Sequence, residues 1–487
     1  MTKEKKQTRL ASTYEENVHY LKEQMRVSKS FDVIHKEMEY AGKKMSFFFV
    51  DGFVKDDMML YIMQDLAKLR VGDLQEDTLH KLIHLYIPYV EVDKNNDLDT
   101  IIDSVLAGQT ALVVEGEQEI ILIDARTYPV RGPEEPDLER VVRGSRDGFV
   151  ETIIFNTALL RRRVRDRTLV MNYLQIGRRS KTDVCVCYIE DIADDALIDK
   201  VRKSLELIDV DGLPMADKTI EEYIAGRHWN PYPSVRYTER PDTAASHLYD
   251  GHVLIIIDGS PSVMITPTTF WHHMQHAEDY RNKPIVGAYL RFVRFLAVFS
   301  SIFFLPFFYL LATNPNLLPA NLVQFIPTDF GSVPLIVQLI TIELGIDVLR
   351  MASIHTPSSL SSALGLVAAV AVGGVAVDVG FYTADVVMYL SVAALGTFTT
   401  PSYELSLANR MFRIILLLLT AFFRVNGFVI GFTLWMLYLI RMKSYQVPYL
   451  WPLVPFNSRA LRDILLRSPM PLKDQRPTVL HPNDPDR

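Results

Sequence analysis

Short unbroken apolar runs, each closed by a turn, recur through the first half of the chain. Residues 46–50 read SFFFV and end on Asp51-Gly52, which predicts a strand. Met59, Ile62, Met63 and Leu66 then recur at helical spacing and predict a helix over 56–69. Further helices are expected over 78–85 and 97–107. Residues 111–114 and 120–123 predict a hairpin turning through Glu115-Gly116. The run 128–133, with two prolines, has the composition of a linker. Beyond it the spacing predicts a helix over 149–165, a strand at 184–189, a helix over 194–207 and a strand at 252–257. That last strand closes on Asp258-Gly259, as the first closes on Asp51-Gly52. The echo between the two units is too short to establish a duplication.

From residue 287 the pattern changes. Residues 287–312 are an apolar stretch long enough to cross a bilayer, with Pro306 expected to kink it. The stretches 334–351, 361–381 and 386–400 follow as shorter candidates. Residues 412–440 are too long for one upright crossing and carry Arg424 and Asn426-Gly427 near the middle. A helical hairpin fits them, with one long tilted helix as the alternative. Four to six spans are therefore expected.

Charge sharpens this division. The net charge is -7, yet between Ser301 and Ile440 the basic residues are Arg350, Arg410, Arg413 and Arg424 alone, with no lysine. An ionised group at the bilayer centre costs roughly 2.5–3.5 kcal/mol, so such depletion marks a membrane domain. Arg281, Lys283, Arg291 and Arg294 flank the first span, whereas residues 313–334 hold no Lys or Arg. By the positive-inside rule the N-terminal region and the tail are cytoplasmic. Arg410 and Arg413 read as a cytoplasmic turn. The N-terminus MTKEKKQTRL has no apolar core of a secretory signal. The expected fold class is an α/β cytoplasmic region of two subdomains followed by an α-helical polytopic membrane domain. Its divisions are a charged leader (1–30), two α/β subdomains (31–127 and 128–285), a membrane domain (286–443) and a cytoplasmic tail (444–487).

Little points to catalysis. Cys185 and Cys187 are the two cysteines, and their spacing suits one buried face of a strand better than a metal site. Gly177-Arg178-Arg179-Ser180-Lys181-Thr182 lacks the full phosphate-loop pattern and reads as a basic loop making salt bridges or subunit contacts. His272 and His276 have the i, i+4 spacing of a helical metal pair, but no third ligand accompanies them. An interfacial Trp/His helix is the preferred reading. No acid/base or nucleophile set stands out, so an enzyme is not expected, nor a cofactor, a metal or nucleic acid. Arg161, Arg162, Arg163 and Arg165 form a basic patch: a solvated face, or a contact for a neighbouring subunit or anionic lipid.

In the membrane part, Glu343, Asp347 and Arg350 share a helix face, as a mutually neutralising cluster or as a hydrated face beside a gate. Gly365, Ala369 and Gly373, followed by Gly374, form a small-residue stretch that lets helices approach closely or line a symmetric pore. Asp378 and Asp385 near its outer end would form acidic rings in an oligomer and favour cations.

Several separate motifs resemble one family. They are Arg140-Val-Val-Arg-Gly-Ser-Arg-Asp-Gly-Phe149, Asn156-Thr-Ala-Leu-Leu-Arg-Arg-Arg163, Gly177-Arg-Arg-Ser-Lys-Thr182, Tyr237-Thr-Glu-Arg-Pro-Asp242, Asp258-Gly-Ser-Pro261 with Thr269-Phe-Trp271, and Pro401-Ser-Tyr-Glu404. Their order over residues 30–460 resembles the A-subunits of GerA-type spore germinant receptors. The pattern departs at Asp347, where receptors carry a second glutamate, and at Gly373-Gly374, where they carry a glycine–glutamine step. The resemblance implies a homo-oligomeric, pentameric ring in the spore inner membrane that conducts ions. It also implies a transporter-like B-subunit partner, a lipoprotein C-subunit, and other germinant receptors whose response a departing family member of this kind would amplify. A non-conducting scaffold that clusters receptors is the competing reading, and a transporter would need an internal repeat in the membrane part.

Overall fold

The computed structural model describes residues 9–87, 89–126, 139–225, 229–319, 321, 326–327, 330–355 and 374–487. The first unit comprises α1 (Tyr14–Gln24), β1 (Val33–Tyr40), β2 (Lys43–Val50), α2 (Asp56–Leu66), β3 (Val92–Asn95), α3 (Leu98–Leu106), β4 (Thr110–Val114) and β5 (Ile120–Ile123). The second comprises α4 (Ile153–Arg163), β6 (Leu169–Ile176), β7 (Thr182–Ile189), α5 (Asp195–Glu206), α6 (Ala216–Ala225), β8 (Arg236–Thr238), α7 (Pro241–Asp250), β9 (Val253–Ile257) and β10 (Val263–Thr266). The sheet orders are β1-β2-β4-β5-β3 and β6-β7-β9-β10-β8, antiparallel at every pairing.

The two sheets therefore share one topology, and they share register too. Met45 faces Val114 and Phe48 faces Ala111 in the first; Val184 faces Ile257 and Cys187 faces Leu254 in the second. Thr110 faces Ile123 as Val253 faces Thr266. The equivalent of Asp258-Gly259 is accordingly Glu115-Gly116, not Asp51-Gly52. Gly116 and Gly259 have φ of 82° and 85°, a left-handed conformation in which a Cβ would be strained. Each sheet is covered by helices on both faces. In the first, α1 and α3 bury Leu21 and Ile101 on one side and α2 buries Ile62 on the other. In the second, α4 and α7 pack one face, α5 and α6 the other. Strands buried on both faces read as unbroken apolar runs. The charged segment expected as a leader thus supplies α1, whose Tyr14, Val18 and Leu21 fill the first core.

Arg161 joins the two units. It is 1% exposed and grips Asp32 with two hydrogen bonds, Nε at 2.8 Å and Nη2 at 3.1 Å. The Phe31 N–H donates to the Met171 carbonyl at 3.1 Å, and Arg167 pairs with Asp99 at 2.9 Å.

Four longer helices follow: α8 (Pro284–Thr313), α9 (Leu335–His355), α10 (Ala384–Phe398) and α11 (Tyr403–Arg441). Two of them, α8 and α11, are long and apolar enough to cross a membrane. α11 is a helical hairpin. Arg424 breaks it with φ 51°, ψ -130°, and the second arm returns along the first, so that Trp435 stacks on Phe412 with ring centroids 5.2 Å apart. The arms cross closely at two glycines. A Cβ at Gly427 would lie 1.9 Å from the Leu419 carbonyl oxygen, and one at Gly431 2.6 Å from the Leu416 side chain. Glu404 at the start of α11 meets Lys218 of the second unit at 3.4 Å, and the Trp435 Nε1–H on the return arm donates to the Tyr232 hydroxyl at 2.6 Å. Both ends of the hairpin thus lie on the side of the α/β units, and its turn lies on the far side.

The tail is packed rather than extended. It forms α12 (Ser458–Leu465), then runs back over the second unit, where the Asn483 amide donates to the Ala193 carbonyl at 2.8 Å and Arg487 pairs with Asp250 at 3.1 Å.

Candidate functional site

The charged residues of the apolar helices converge on one buried point. Glu343 on α9 is 1% exposed. Arg413, from the first arm of α11, lies against it with Nη2 2.9 Å from Oε2 and Nε 2.9 Å from Oε1. Arg413 Nη1 also donates to the Ser301 carbonyl of α8 at 2.6 Å and to Thr397 Oγ1 of α10 at 3.1 Å. One turn earlier, Arg410 donates to the Glu343 carbonyl at 2.7 Å, and its Nη1 pairs with Asp347 at 2.5 Å. One arginine of α11 therefore touches the three helices α8, α9 and α10, and two carboxylates meet two guanidiniums. The planar, always-charged guanidinium suits this task, because it offers several donors in a fixed fork. Taking charges out of water is costly, and their mutual pairing offsets part of that cost, although the Nε atoms of Arg410 and Arg413 make no hydrogen bond of their own.

The sequence places two of the three α9 charges in this cluster and misassigns the third. Arg350 does not neutralise Glu343 or Asp347. Its guanidinium lies over the Phe398 ring at 5.4 Å and near the Tyr403 ring at 6.0 Å. The partners come instead from Arg410 and Arg413, which are buried within the helix bundle rather than at a turn. A usable signal exists: two arginines at i, i+3 inside one apolar helix demand acids from another.

The small-residue stretch is a separate constellation. Gly365, Ala369 and Gly373 lie outside the described residues. Gly374 is half-buried, and a Cβ built on it would meet nothing within 4 Å. Asp378 closes a short helix, Ala376–Asp378, and is exposed, as is Asp385 at the start of α10. Residues just beyond Asp378 are tied to the outer end of α9: the Thr383 N–H donates to Gln338 Oε1 at 3.1 Å, and Ser332 Oγ donates to the Gly380 carbonyl at 3.4 Å. Both aspartates thus sit at the end of the bundle remote from the α/β units.

The basic patch is divided by the fold. Arg161 is buried between the two units and is not available to a neighbouring subunit. Arg163 pairs with Asp147 at 2.7 Å, while Arg162 and Arg165 are exposed. Arg165 lies past the end of α4. In the basic loop, Arg178 forms an ion pair with Asp209.

The helix expected over Trp271–His276 is a single 3-10 turn, His272–Met274, so the i, i+4 pairing of His272 with His276 is not formed. Three histidines meet there instead. The rings of His247, His252 and His272 lie 4.9–5.8 Å apart, edge to face. Burial holds them neutral, with His252 lowered to about 4, and neighbouring His273 to about 3 for the same reason. Among the described residues no group of three His, Cys, Asp or Glu is placed to hold a metal ion. Cys185 and Cys187 are buried side by side, and burial pushes the Cys185 thiol up.

With this geometry in place, the comparisons are direct. Residues 19–479 match the family model described as Bacillus/Clostridium GerA spore germination protein. The chain is 48% identical to Stage V sporulation protein AF of Bacillus subtilis (strain 168), over 96% of this chain and 95% of that one. It is 29% identical to the membrane protein YfkQ of the same organism, over 92% of this chain and 87% of that one. It is 27% identical to Spore germination protein KA, also of that organism, over 94% and 85%. Among solved structures, the N-terminal domain of the A subunit of the Bacillus megaterium spore germinant receptor GerK3 matches with 25% identity and a TM-score of 0.44, covering 55% of this chain and 99% of that one. The chain belongs to the GerA spore germination protein family.

Proposed function

We propose that this chain is the membrane subunit of a spore germination complex and forms, with further copies, a cation-conducting ring in the spore inner membrane. The α/β units and the tail lie on the cytoplasmic side, where Arg281, Lys283, Arg441 and Lys443 gather. In this reading α8 and the first arm of α11 run outward across the membrane, and α9, α10 and the return arm of α11 run back. A pentamer, a transporter-like B-subunit and a lipoprotein C-subunit complete the assembly, which amplifies the response of other germinant receptors.

The observation that carries this reading is the contrast between the two constellations. Glu343, Asp347, Arg410 and Arg413 neutralise one another inside the bundle. Gly374 and Asp378 lie at the surface of the single chain, with open space at the glycine. Around a shared axis these residues would line a passage with an acidic mouth, which concentrates cations.

Reconstitution into liposomes, with the B-type partner present, tests the proposal. Cation release that is lost in Gly374→Leu supports it. Release identical in protein-containing and empty vesicles leaves the scaffold reading in its place.

A further inference from the structure

The tail between residues 453 and 472 is unlike a solvated extension. Leu453, Val454 and Phe456 precede α12, Leu465 and Leu466 end it, and Leu472 follows; all six are exposed, Phe456 by 70% and Leu472 by 73%. Three successive exposed apolar groups within twenty residues are costly in water, because each leaves hydrocarbon surface unburied. Arg459 and Arg462 alternate with them and are exposed as well.

The tail is also held at a defined height. Arg291 of α8 donates to the Ile464 carbonyl at 2.9 Å and to the Asp463 carbonyl at 3.1 Å, and Ile464 is buried with Phe295 and Val298. Arg467 donates to the Tyr280 carbonyl at 3.0 Å, just ahead of α8. At this same level the outward face of α8 becomes apolar: Tyr289, Phe292 and Leu296 are 60–65% exposed at i, i+3 and i+7. The end of α12, with the exposed Leu465 and Leu466 beside Ile464, therefore lies level with the start of the exposed apolar face of α8.

We propose that residues 453–472 are an interfacial membrane element: their apolar side chains enter the acyl boundary of the cytoplasmic leaflet, and Arg459 and Arg462 sit among its anionic headgroups. Short amphipathic segments with this mixture of apolar and basic groups occupy the plane between headgroups and chains. The inference rests on the membrane reading above and goes beyond it by assigning the occupant of the tail's apolar surface. The occupant is lipid, not a second copy of the chain.

The test uses the full-length protein in nanodiscs of phosphatidylcholine and phosphatidylglycerol. Single cysteines replace Phe456, Leu466, Leu296 and Glu206, each labelled with an environment-sensitive fluorophore; Cys185 and Cys187 are buried and do not compete. At F456C and L466C, lipids brominated near the ester end should quench at least twofold more than at E206C, and aqueous iodide at least twofold less. Quenching by iodide equal to that at E206C overturns the proposal. So does protection from both quenchers, which would place protein over the segment. If L296C also escapes the brominated lipid, the membrane reading has failed and the inference falls with it; if only the tail positions escape, the inference alone is wrong.

Discussion

Glu343 and Arg413 stand on different helices, 70 residues apart in the chain, with a guanidinium nitrogen 2.9 Å from each carboxylate oxygen. Neither can be removed alone without leaving an uncompensated buried charge. Glu343→Gln or Arg413→Met should cost about 3–5 kcal/mol, the usual loss when a buried ion pair is broken. The check is the thermal midpoint of the purified protein in detergent. Changing Glu343 and Arg413 together to apolar residues of similar volume should recover much of the loss, because Arg410 then still pairs with Asp347 and the charges stay balanced.

Arg161 and Asp32 make the same argument outside the membrane part. Each should cost several kcal/mol when replaced by Ala, and a double-mutant cycle should return a positive coupling, since the two act as one contact. Limited proteolysis between the two units gives a second readout. Arg178→Ala, at an exposed ion pair, should leave the midpoint unmoved.

The hairpin of α11 depends on its glycines. Gly431→Leu should separate the arms, lose the stacking of Trp435 on Phe412, and destabilise the fold by a few kcal/mol, as overpacking does. Tryptophan emission shifted to the red, together with a lower midpoint in detergent, would register it.

The buried histidines predict an acid-labile junction. Their folded pKa values are lowered, so between the unfolded value near 6.5 and the folded values the unfolded chain binds more protons. Stability is therefore fully present above about pH 6.5 and falls as pH drops through that point toward the folded values near 4 and 3. Arg236 and Lys473 face the group and oppose its protonation, while Asp250 favours it at His252. The measurement is the thermal midpoint from pH 7.5 to 5. His252→Gln should give a shallower decline than the parent chain.

Much of this architecture is legible in residues that act locally. Residues 120–123 and 252–257 announce doubly covered strands through unbroken apolar runs, and Arg424 with Asn426-Gly427 announces the hairpin. What escapes is whatever depends on a distant partner. β1 reads VIHKEMEY, an edge strand whose exposed charges hide its alternation. The charges of α1 conceal the stripe Tyr14, Val18, Leu21 that packs into the first core. Arg161 sits in a run of arginines and looks solvated until Asp32 is brought against it. Arg410 and Arg413 look like a cytoplasmic turn until α9 supplies its acids. The shared register of the two sheets is invisible for a related reason: Phe48 and Cys187 occupy equivalent positions, and burial sets polarity there but not identity.

Asp378 offers the most direct test of conduction. In liposomes carrying the protein with the proposed B-type partner, under a salt gradient, the reversal potential reports the preference for cations over anions. The account predicts a cation-selective potential that shifts toward zero in Asp378→Asn and further in Asp378→Lys, with total protein and oligomer size unchanged. A current whose selectivity is indifferent to all three side chains, or no current at all, would contradict it.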